Sequence, residues 1–171
     1  MHKRDFSIHW VPIKGFDKNV MGMASCPGKT SMSEGSNNKL ENDLQSIWTQ
    51  GIRCLVTLIP DYEIRLLRID KFHESVSSNK FVHLIEEISD FSTPEPKRLE
   101  HFASLILKIK LQINKKKPVL IHCNSGLGRS GIVAAIVLKS FLNLRDPISY
   151  LRSFVPKAIE TENQESFVTN W

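Results

Sequence analysis

The sequence has few of the features that mark a disulfide-rich or zinc-binding protein. It contains only 3 cysteines in 171 residues, Cys26, Cys54 and Cys123. No two of them form a C-x-x-C pair, which argues against a zinc ribbon and a thioredoxin-type redox pair, and their odd number argues against a disulfide framework. Reduced thiols in a cytosolic compartment are the simplest interpretation.

Long hydrophobic runs and metal-ligand spacings are also missing. The longest clean apolar run, residues 132–138, is far too short to span a bilayer. No apolar segment follows the basic start of the chain, as it would in a signal peptide. His73, His83 and His101 lack the spacing of metal ligands. We therefore expect a cytoplasmic protein with no metal, no cofactor and no membrane span, while secretion by a signal-free route stays open.

The composition is typical of a folded domain with a basic surplus. Hydrophobic residues make up 41% of the chain, charged residues make up 24%, and the formal net charge is +5. The surplus favours anionic partners such as phosphoproteins, nucleic acid or acidic membranes, or it reflects a modest excess of solvated lysine. The length fits one domain. We expect a single domain over residues 1–171, in which residues 1–40 are the less certain part.

Hydrophobic patterning predicts strands and helices in alternation. The expected strands cover residues 8–11, 20–24, 53–59, 81–86 and 118–122, of which the first two look like edge strands and the third like a strand buried on both faces. The expected helices cover residues 42–50, 61–78, 95–113, 130–142, 146–155 and 162–170. The alternation predicts an α/β fold with a central, mostly parallel β-sheet flanked by helices.

Two further local features are expected near the start of the chain. Residues 25–39 are rich in Ser, Gly, Asn and Lys, which predicts a surface loop. Asn42 or Asp43 is expected to cap the first helix.

Two glycine-containing segments imitate nucleotide-binding motifs. Residues 126–131 match G-x-G-x-x-G, but only 40 residues follow them, too few to complete a dinucleotide-binding sheet. Gly28-Lys29-Thr30 resembles the end of a Walker loop, yet Met23 stands where that motif requires glycine. Neither segment predicts a nucleotide site.

Residues 122–131, HCNSGLGRSG, carry the chemistry. A strand delivers Cys123 to its carboxyl end, a glycine-containing turn follows, and a helix begins. Inward backbone N–H groups and the helix N-terminus make a cradle for an anion, and the same field favours the nucleophilic thiolate. Arg129 can hold two phosphate oxygens with its planar fork. A lone cysteine is usually a small buried hydrophobe, but this combination favours a catalytic loop.

The segment resembles the H-C-x5-R-S/T signature of the protein tyrosine phosphatase superfamily. The matching residues are His122, Cys123, Gly126, Gly128, Arg129 and Ser130. The wider chain resembles the dual-specificity branch, most closely the kinase-associated phosphatase group that acts on cyclin-dependent kinases. The landmarks are residues 58–63, 89–94 and 158–161 together with Gln164. The N-terminal part is similar only in Cys26-Pro27-Gly28.

This resemblance implies the roles of the reacting residues. Cys123 would attack phosphorus and form a cysteinyl-phosphate. Asp90 would protonate the leaving oxygen, and Ser130 would help the sulfur leave, although Ser130 could equally cap a helix. The phosphate-binding loop would consist of Asn124, Ser125, Gly126, Leu127, Gly128 and Arg129.

Three supporting residues also follow from the resemblance. His122 would order the loop by hydrogen bonding. Glu63 would orient the Arg129 guanidinium, and its alternative is a charge on a helix surface. Gln164 would place the hydrolytic water, and its alternative is an exposed helix residue.

Two other aspartates precede the signature. Asp61 is expected to cap a helix, and Asp70 is expected to be a solvated charge in a helical stretch. Asp90, in a loop directly after a strand, remains the expected general acid.

The implied activity is metal-free hydrolysis of phosphomonoesters on proteins. The sequence lacks the extra N-terminal loop that deepens the pocket of the large tyrosine-specific enzymes, so phosphotyrosine and phosphoserine or phosphothreonine are expected substrates. The partner is therefore a phosphorylated protein, and no nucleic-acid partner is expected. An RNA 5′-phosphatase of the same superfamily and a non-catalytic pseudophosphatase that binds phosphoproteins are the alternatives.

Overall fold

A computed structural model describes residues 5–16, 19–30, 38–69 and 71–171. Five strands are present: β1 (His9–Trp10), β2 (Met21–Ala24), β3 (Cys54–Thr57), β4 (Val82–Ile85) and β5 (Val119–His122). The α-helices are α1 (Lys39–Thr49), α2 (Asp61–Leu66), α3 (Phe72–Ser78), α4 (Leu99–Asn114), α5 (Gly128–Leu142), α6 (Pro147–Arg152) and α7 (Glu162–Asn170). A 3₁₀ turn, Pro96–Arg98, leads into α4.

The strands form one sheet in the order β1-β2-β5-β3-β4. Only the β1–β2 pair is antiparallel, and the other three pairs are parallel. Every residue of β2, β3 and β5 is buried, as expected where crossover helices cover both faces of a parallel sheet. The predicted α/β fold with a mostly parallel sheet is confirmed.

The register of the central strands determines where the site lies. Thr57, the last residue of β3, pairs with His122, the last residue of β5. The carboxyl ends of these parallel strands therefore meet at one edge of the sheet, and the segment after β5 begins there. Helix α5 leaves from this edge, and its residues 128–138 are all buried, as its apolar pattern predicts. No helix in the described ranges is long and apolar enough to cross a membrane.

The start of the chain differs from the prediction in two ways. Residues 20–24 were expected to form an edge strand, but β2 lies between β1 and β5. Residues 25–39 were expected to form a surface loop, but residues 26–28 are buried, and residues 31–37 lie outside the described part of the chain. The predicted cap of α1 is also wrong. The helix begins at Lys39, so Asp43 lies inside it. The Asp43 carboxylate accepts the N–H of Gly28 at 2.8 Å instead of capping the helix.

The predicted helix over residues 61–78 is two helices. Arg68 and Lys71 adopt positive φ angles of 55° and 62°, which interrupt the helical hydrogen bonds between α2 and α3. Pro60, rather than Asp61, takes the N-cap position. The Asp61 carboxylate instead accepts a hydrogen bond from His73 Nε2 at 2.8 Å. Asp70 lies outside the described residues.

Candidate active site

The segment between β5 and α5 is a tight loop with Cys123 at its base. Cys123 directly follows β5, and only 1% of its surface is exposed. The backbone N–H of Gly126 donates to Cys123 Sγ at 3.2 Å, so the loop turns its amides toward the sulfur. Helix α5 begins at Gly128 and directs its positive end to the same place. The loop can therefore hold an anion against the sulfur.

Glycine at position 126 is required by both its conformation and its packing. Its φ angle is 79°, a region that residues with a Cβ rarely adopt. A Cβ there would also overlap the backbone carbonyl of Ala24 at the end of β2. The loop between β5 and α5 thus packs directly on the end of β2, and this contact favours its tight turn.

Arg129 is buried, and α2 and the segment after β4 fix its orientation. Its Nη1 donates to Glu63 Oε1 at 2.7 Å and to the Ile88 carbonyl at 3.0 Å. Burial acts to lower the pKa of Arg129, but the hydrogen bond to Glu63 and the neighbouring anions raise the pKa overall, so the guanidinium stays charged. Its Nη2 is buried and makes no hydrogen bond among the described residues, but the Asp90 carboxylate lies 2.9 Å from it as a charge pair. An anion that displaces Asp90 can bind this nitrogen.

Asp90 is brought to Arg129 by the loop that follows β4. Its Oδ1 lies 2.9 Å from Arg129 Nη2 as a charge pair, and its side chain is 45% exposed. Helix α7 holds the loop from behind. Gln164 Nε2 donates to the Ser92 carbonyl at 3.1 Å, and Thr161 Oγ1 donates to the Phe91 carbonyl at 3.4 Å. Among the competing aspartates, Asp61 is instead engaged with His73.

Glu63 and Gln164 are both buried, so the alternatives of a surface charge and an exposed helix residue are wrong. Gln164 uses both ends of its amide, because its Oε1 also accepts the N–H of Glu160 at 2.9 Å. It thereby joins the Asp90 loop to the segment before α7. A water-positioning role for Gln164 remains a prediction.

His122 and Ser130 are both fully buried. His122 Nδ1 is 3.4 Å from the Cys123 carbonyl, and its Nε2 is 2.8 Å from Thr57 Oγ1. Burial lowers the pKa of His122 to about 3, so the ring is neutral. Ser130 does not cap α5, which begins two residues earlier, and its hydroxyl has no partner among the described residues. The role of this hydroxyl in the departure of the sulfur stays a prediction.

Sequence reasoning missed two residues that contact the loop and a third that supports it from β3. Lys29 Nζ donates to Asn124 Oδ1 at 2.7 Å, although its segment was expected only to form a surface loop. The Cys26 N–H also bonds the Asn124 carbonyl at 3.2 Å. Thr57, which bonds His122, was the third omission. A hydroxyl inside the otherwise apolar run 54–59 was a usable signal.

Comparisons with known proteins identify the family of the chain. The model of the family described as "Polymorphic toxin system, DSP-PTPase phosphatase" matches residues 30–141. An uncharacterized protein of Methanocaldococcus jannaschii is 34% identical over 85 residues, which cover 49% of this chain and 51% of that protein. Tyrosine-protein phosphatase Lar of Drosophila melanogaster is 29% identical over 119 residues, or 64% of this chain and 6% of Lar. The chain thus spans about half of the first relative and a small part of the second.

Solved structures share the fold along nearly the whole chain. A kinase-associated phosphatase with serine in place of its catalytic-site cysteine superposes with a TM-score of 0.84 at 20% identity, covering 96% of this chain and 93% of that one. Tk-PTP in its active form gives a TM-score of 0.71 at 24% identity, covering 91% and 92%. These likenesses show the protein tyrosine phosphatase fold. Since the family model matches well over half of the chain, the protein belongs to the dual-specificity phosphatase family of polymorphic toxin systems, within the protein tyrosine phosphatase superfamily.

Proposed function

We propose that the protein is a cysteine-dependent phosphatase that hydrolyses phosphotyrosine and phosphoserine or phosphothreonine in proteins. The observation that carries this proposal is the meeting of Cys123, Arg129 and Asp90 at one edge of the sheet. Arg129 Nη2 is 2.9 Å from Asp90, and the Gly126 N–H points at the Cys123 sulfur. A nucleophile, an anion clamp and a proton donor thus surround one space.

The reaction divides into two transfers of the phosphoryl group. In the first, Cys123 Sγ attacks phosphorus, the bond from phosphorus to the substrate oxygen breaks, and Asp90 gives that oxygen a proton. Loop N–H groups and Arg129 hold the equatorial oxygens while their charge redistributes. In the second, water attacks phosphorus, Asp90 takes a proton from that water, and the sulfur leaves as thiolate with a hydrogen bond from Ser130. The products are the dephosphorylated protein and inorganic phosphate.

Replacing the nucleophile tests the mechanism. Cys123→Ser should abolish turnover of an aryl phosphate but keep binding of inorganic phosphate, because the cradle consists of backbone and Arg129. Cys54→Ser is the matched control, because burial raises the pKa of this β3 thiol to about 12 and makes it unreactive. Activity that survives in Cys123→Ser, or that a chelator removes from the wild type, would contradict the proposal. A wild type that binds phosphate but never turns over would identify a pseudophosphatase.

Substrate range needs a separate measurement. Matched peptides that differ only in phosphotyrosine or phosphothreonine should both be hydrolysed, because the sequence lacks the loop that deepens a tyrosine-selective pocket. Strict selectivity for tyrosine across a broad peptide panel would refute dual specificity and leave the phosphocysteine mechanism standing.

A further inference from the structure

Three polar side chains form a row behind the phosphate loop: His83 on β4, Thr57 at the end of β3, and His122 at the end of β5. Thr57 Oγ1 lies 2.8 Å from His83 Nε2 and 2.8 Å from His122 Nε2. His122 Nδ1 then lies 3.4 Å from the carbonyl oxygen of Cys123. The row therefore connects a strand at the edge of the sheet to the backbone of the nucleophile.

Apolar packing by Phe72 and full burial keep water from the inner two members of this row, Thr57 and His122. The ring of Phe72 packs 5.6 Å from the His122 ring and 6.1 Å from the His83 ring, measured between centroids. Thr57 and His122 are fully buried. Since water does not reach these two groups, their hydrogen bonds must be satisfied within the row.

The donor in each bond of the row can be assigned. The Cys123 carbonyl only accepts, so His122 Nδ1 must carry a hydrogen. Burial lowers the pKa of His122 to about 3, so at neutral pH the ring has one N–H and its Nε2 is an acceptor. The single hydroxyl hydrogen of Thr57 must then go to His122.

The same reasoning fixes the other end of the row. Thr57 Oγ1, having given its hydrogen to His122, accepts from His83 Nε2–H. Burial and the neighbouring His73 lower the pKa of His83 to about 4, so that ring is also neutral at working pH. The three hydrogen bonds of the row thus have the same direction: His83 donates to Thr57, Thr57 donates to His122, and His122 donates to the Cys123 carbonyl.

We propose that Thr57 and His83 are positioning residues of the phosphatase site, because they pair the buried Nε2 of His122 and so fix the ring whose Nδ1–H bonds the Cys123 carbonyl. This inference rests on the proposed function. Without the Thr57 hydroxyl, the Nε2 lone pair of His122 is left buried and unpaired. The ring is then no longer fixed at this end, and its Nδ1–H loses its alignment with the Cys123 carbonyl. The Cys123 peptide would rotate, and the loop amides that follow it would lose their aim at the phosphate.

The test removes the hydroxyl with little change of shape. Thr57→Val is compared with Thr57→Ser, which keeps the hydroxyl, and with Thr49→Val, which removes an exposed hydroxyl that bonds only Ser46 within α1. The readouts are the ¹⁵N resonances of the His122 ring and the kcat and KM for an aryl phosphate. We expect Thr57→Val to shift the Nε2 resonance, because that nitrogen loses its donor, and to lower kcat about tenfold, the effect of one buried hydrogen bond. KM should change little, and Thr57→Ser should behave as the wild type.

Two results would overturn the proposal. One is a Thr57→Val variant with normal kcat. The other is a Thr57→Val variant with reduced kcat but an unchanged His122 Nε2 resonance, because a merely structural defect acts that way. The partly exposed His83 gives a second route if Thr57→Val fails to fold. His83→Gln, which can still donate to Thr57, should keep the wild-type Nε2 resonance and kcat. His83→Leu should shift the resonance and lower kcat, and equal behaviour of the two variants would refute the row.

Failure of the proposed function would be recognised separately. A wild type without turnover of any phosphomonoester would refute the phosphatase activity. The His122 Nε2 resonance in wild type and Thr57→Val would still decide whether Thr57 pairs that nitrogen.

Discussion

The buried pair of Glu63 and Arg129 gives the sharpest single test of the site. Arg129 Nη1 lies 2.7 Å from Glu63 Oε1, and only 1% and 9% of the two side chains are exposed. Removing one partner of such a pair typically costs about 3–5 kcal/mol, because the other charge stays buried and unpaired. Arg129 would keep the Ile88 carbonyl and the half-exposed Asp90. We therefore expect Glu63→Ala to lower the free energy of unfolding by about 3 kcal/mol, the lower end of that range.

Glu63→Gln separates the contribution of the Glu63 charge from that of its hydrogen bond to Arg129. The glutamine oxygen can still accept from Arg129 Nη1, so the free energy of unfolding should fall by only about 1–2 kcal/mol. In Glu63→Ala the guanidinium loses its main anchor and can swing away from the phosphate position. A misplacement of about 1 Å can reduce the rate about 10²-fold, so kcat/KM should fall by that order in Glu63→Ala and by much less in Glu63→Gln.

The assay combines urea unfolding with the kinetics of an aryl phosphate. Glu74→Ala is the matched control, because Glu74 is an exposed glutamate on the neighbouring helix α3. Ordinary surface substitutions change the free energy of unfolding by no more than about 0.5 kcal/mol. If Glu63→Ala changes it by no more than that and keeps its kcat/KM, then Glu63 does not orient Arg129.

Three further predictions concern other parts of the site. Asp90→Asn should slow hydrolysis of a phosphotyrosine peptide about 10²-fold or more and slow an activated aryl phosphate much less; the same pattern in Asp61→Asn or Asp70→Asn would reassign the acid. Arg129→Lys keeps the charge but loses the fork, so kcat/KM should fall about 10²-fold or more, and near-normal kinetics would show that Arg129 is not the clamp. His122 has its pKa lowered to about 3, so below pH about 6.5 the unfolded chain gains a proton that the native state excludes. The free energy of unfolding should therefore decrease as the pH is lowered from about 6.5 to 3, at roughly 1 kcal/mol per pH unit for this residue. A free energy of unfolding that does not change over this pH range would contradict the burial of His122 in the neutral form.

The fold was predictable where one element contains its own signal. The apolar run before Cys123 and the all-round apolar helix after it gave β5 and α5 correctly, because burial on every side leaves no polar positions. The placement of β2 was not predictable in this way. Its four residues, Met21–Ala24, do not show whether a neighbour pairs on one side or both. The start of α1 was missed because the Asp43 carboxylate, which was expected to cap the helix, bonds the distant Gly28 and the Lys39 side chain instead.

The site residues also differ in how local their signal is. Cys123 and Arg129 lie close together in the sequence, so residue types and spacing sufficed to predict that they share one site. Glu63 meets Arg129 across 66 positions, and Thr57 meets His122 across 65. Resemblance to a family supplied the first contact. For the second, the hydroxyl in an apolar run was a local signal, but its partner could not be predicted, because only the register of β3 against β5 brings that hydroxyl to that ring.

Arg129 holds its two carboxylate partners in unequal ways, and the inequality suits catalysis. Glu63 is buried and hydrogen-bonded to Nη1, so removing it leaves a costly unpaired charge. Asp90 is 45% exposed and meets Nη2 only as a charge pair, which water screens and a stronger anion can displace. In the proposed mechanism, an arriving phosphate group takes that same Nη2 and replaces Asp90 on the guanidinium, while Glu63 keeps the fork in place. The displaced carboxyl group would remain on its loop, held by Gln164 and Thr161, as the proposed proton donor to the leaving oxygen.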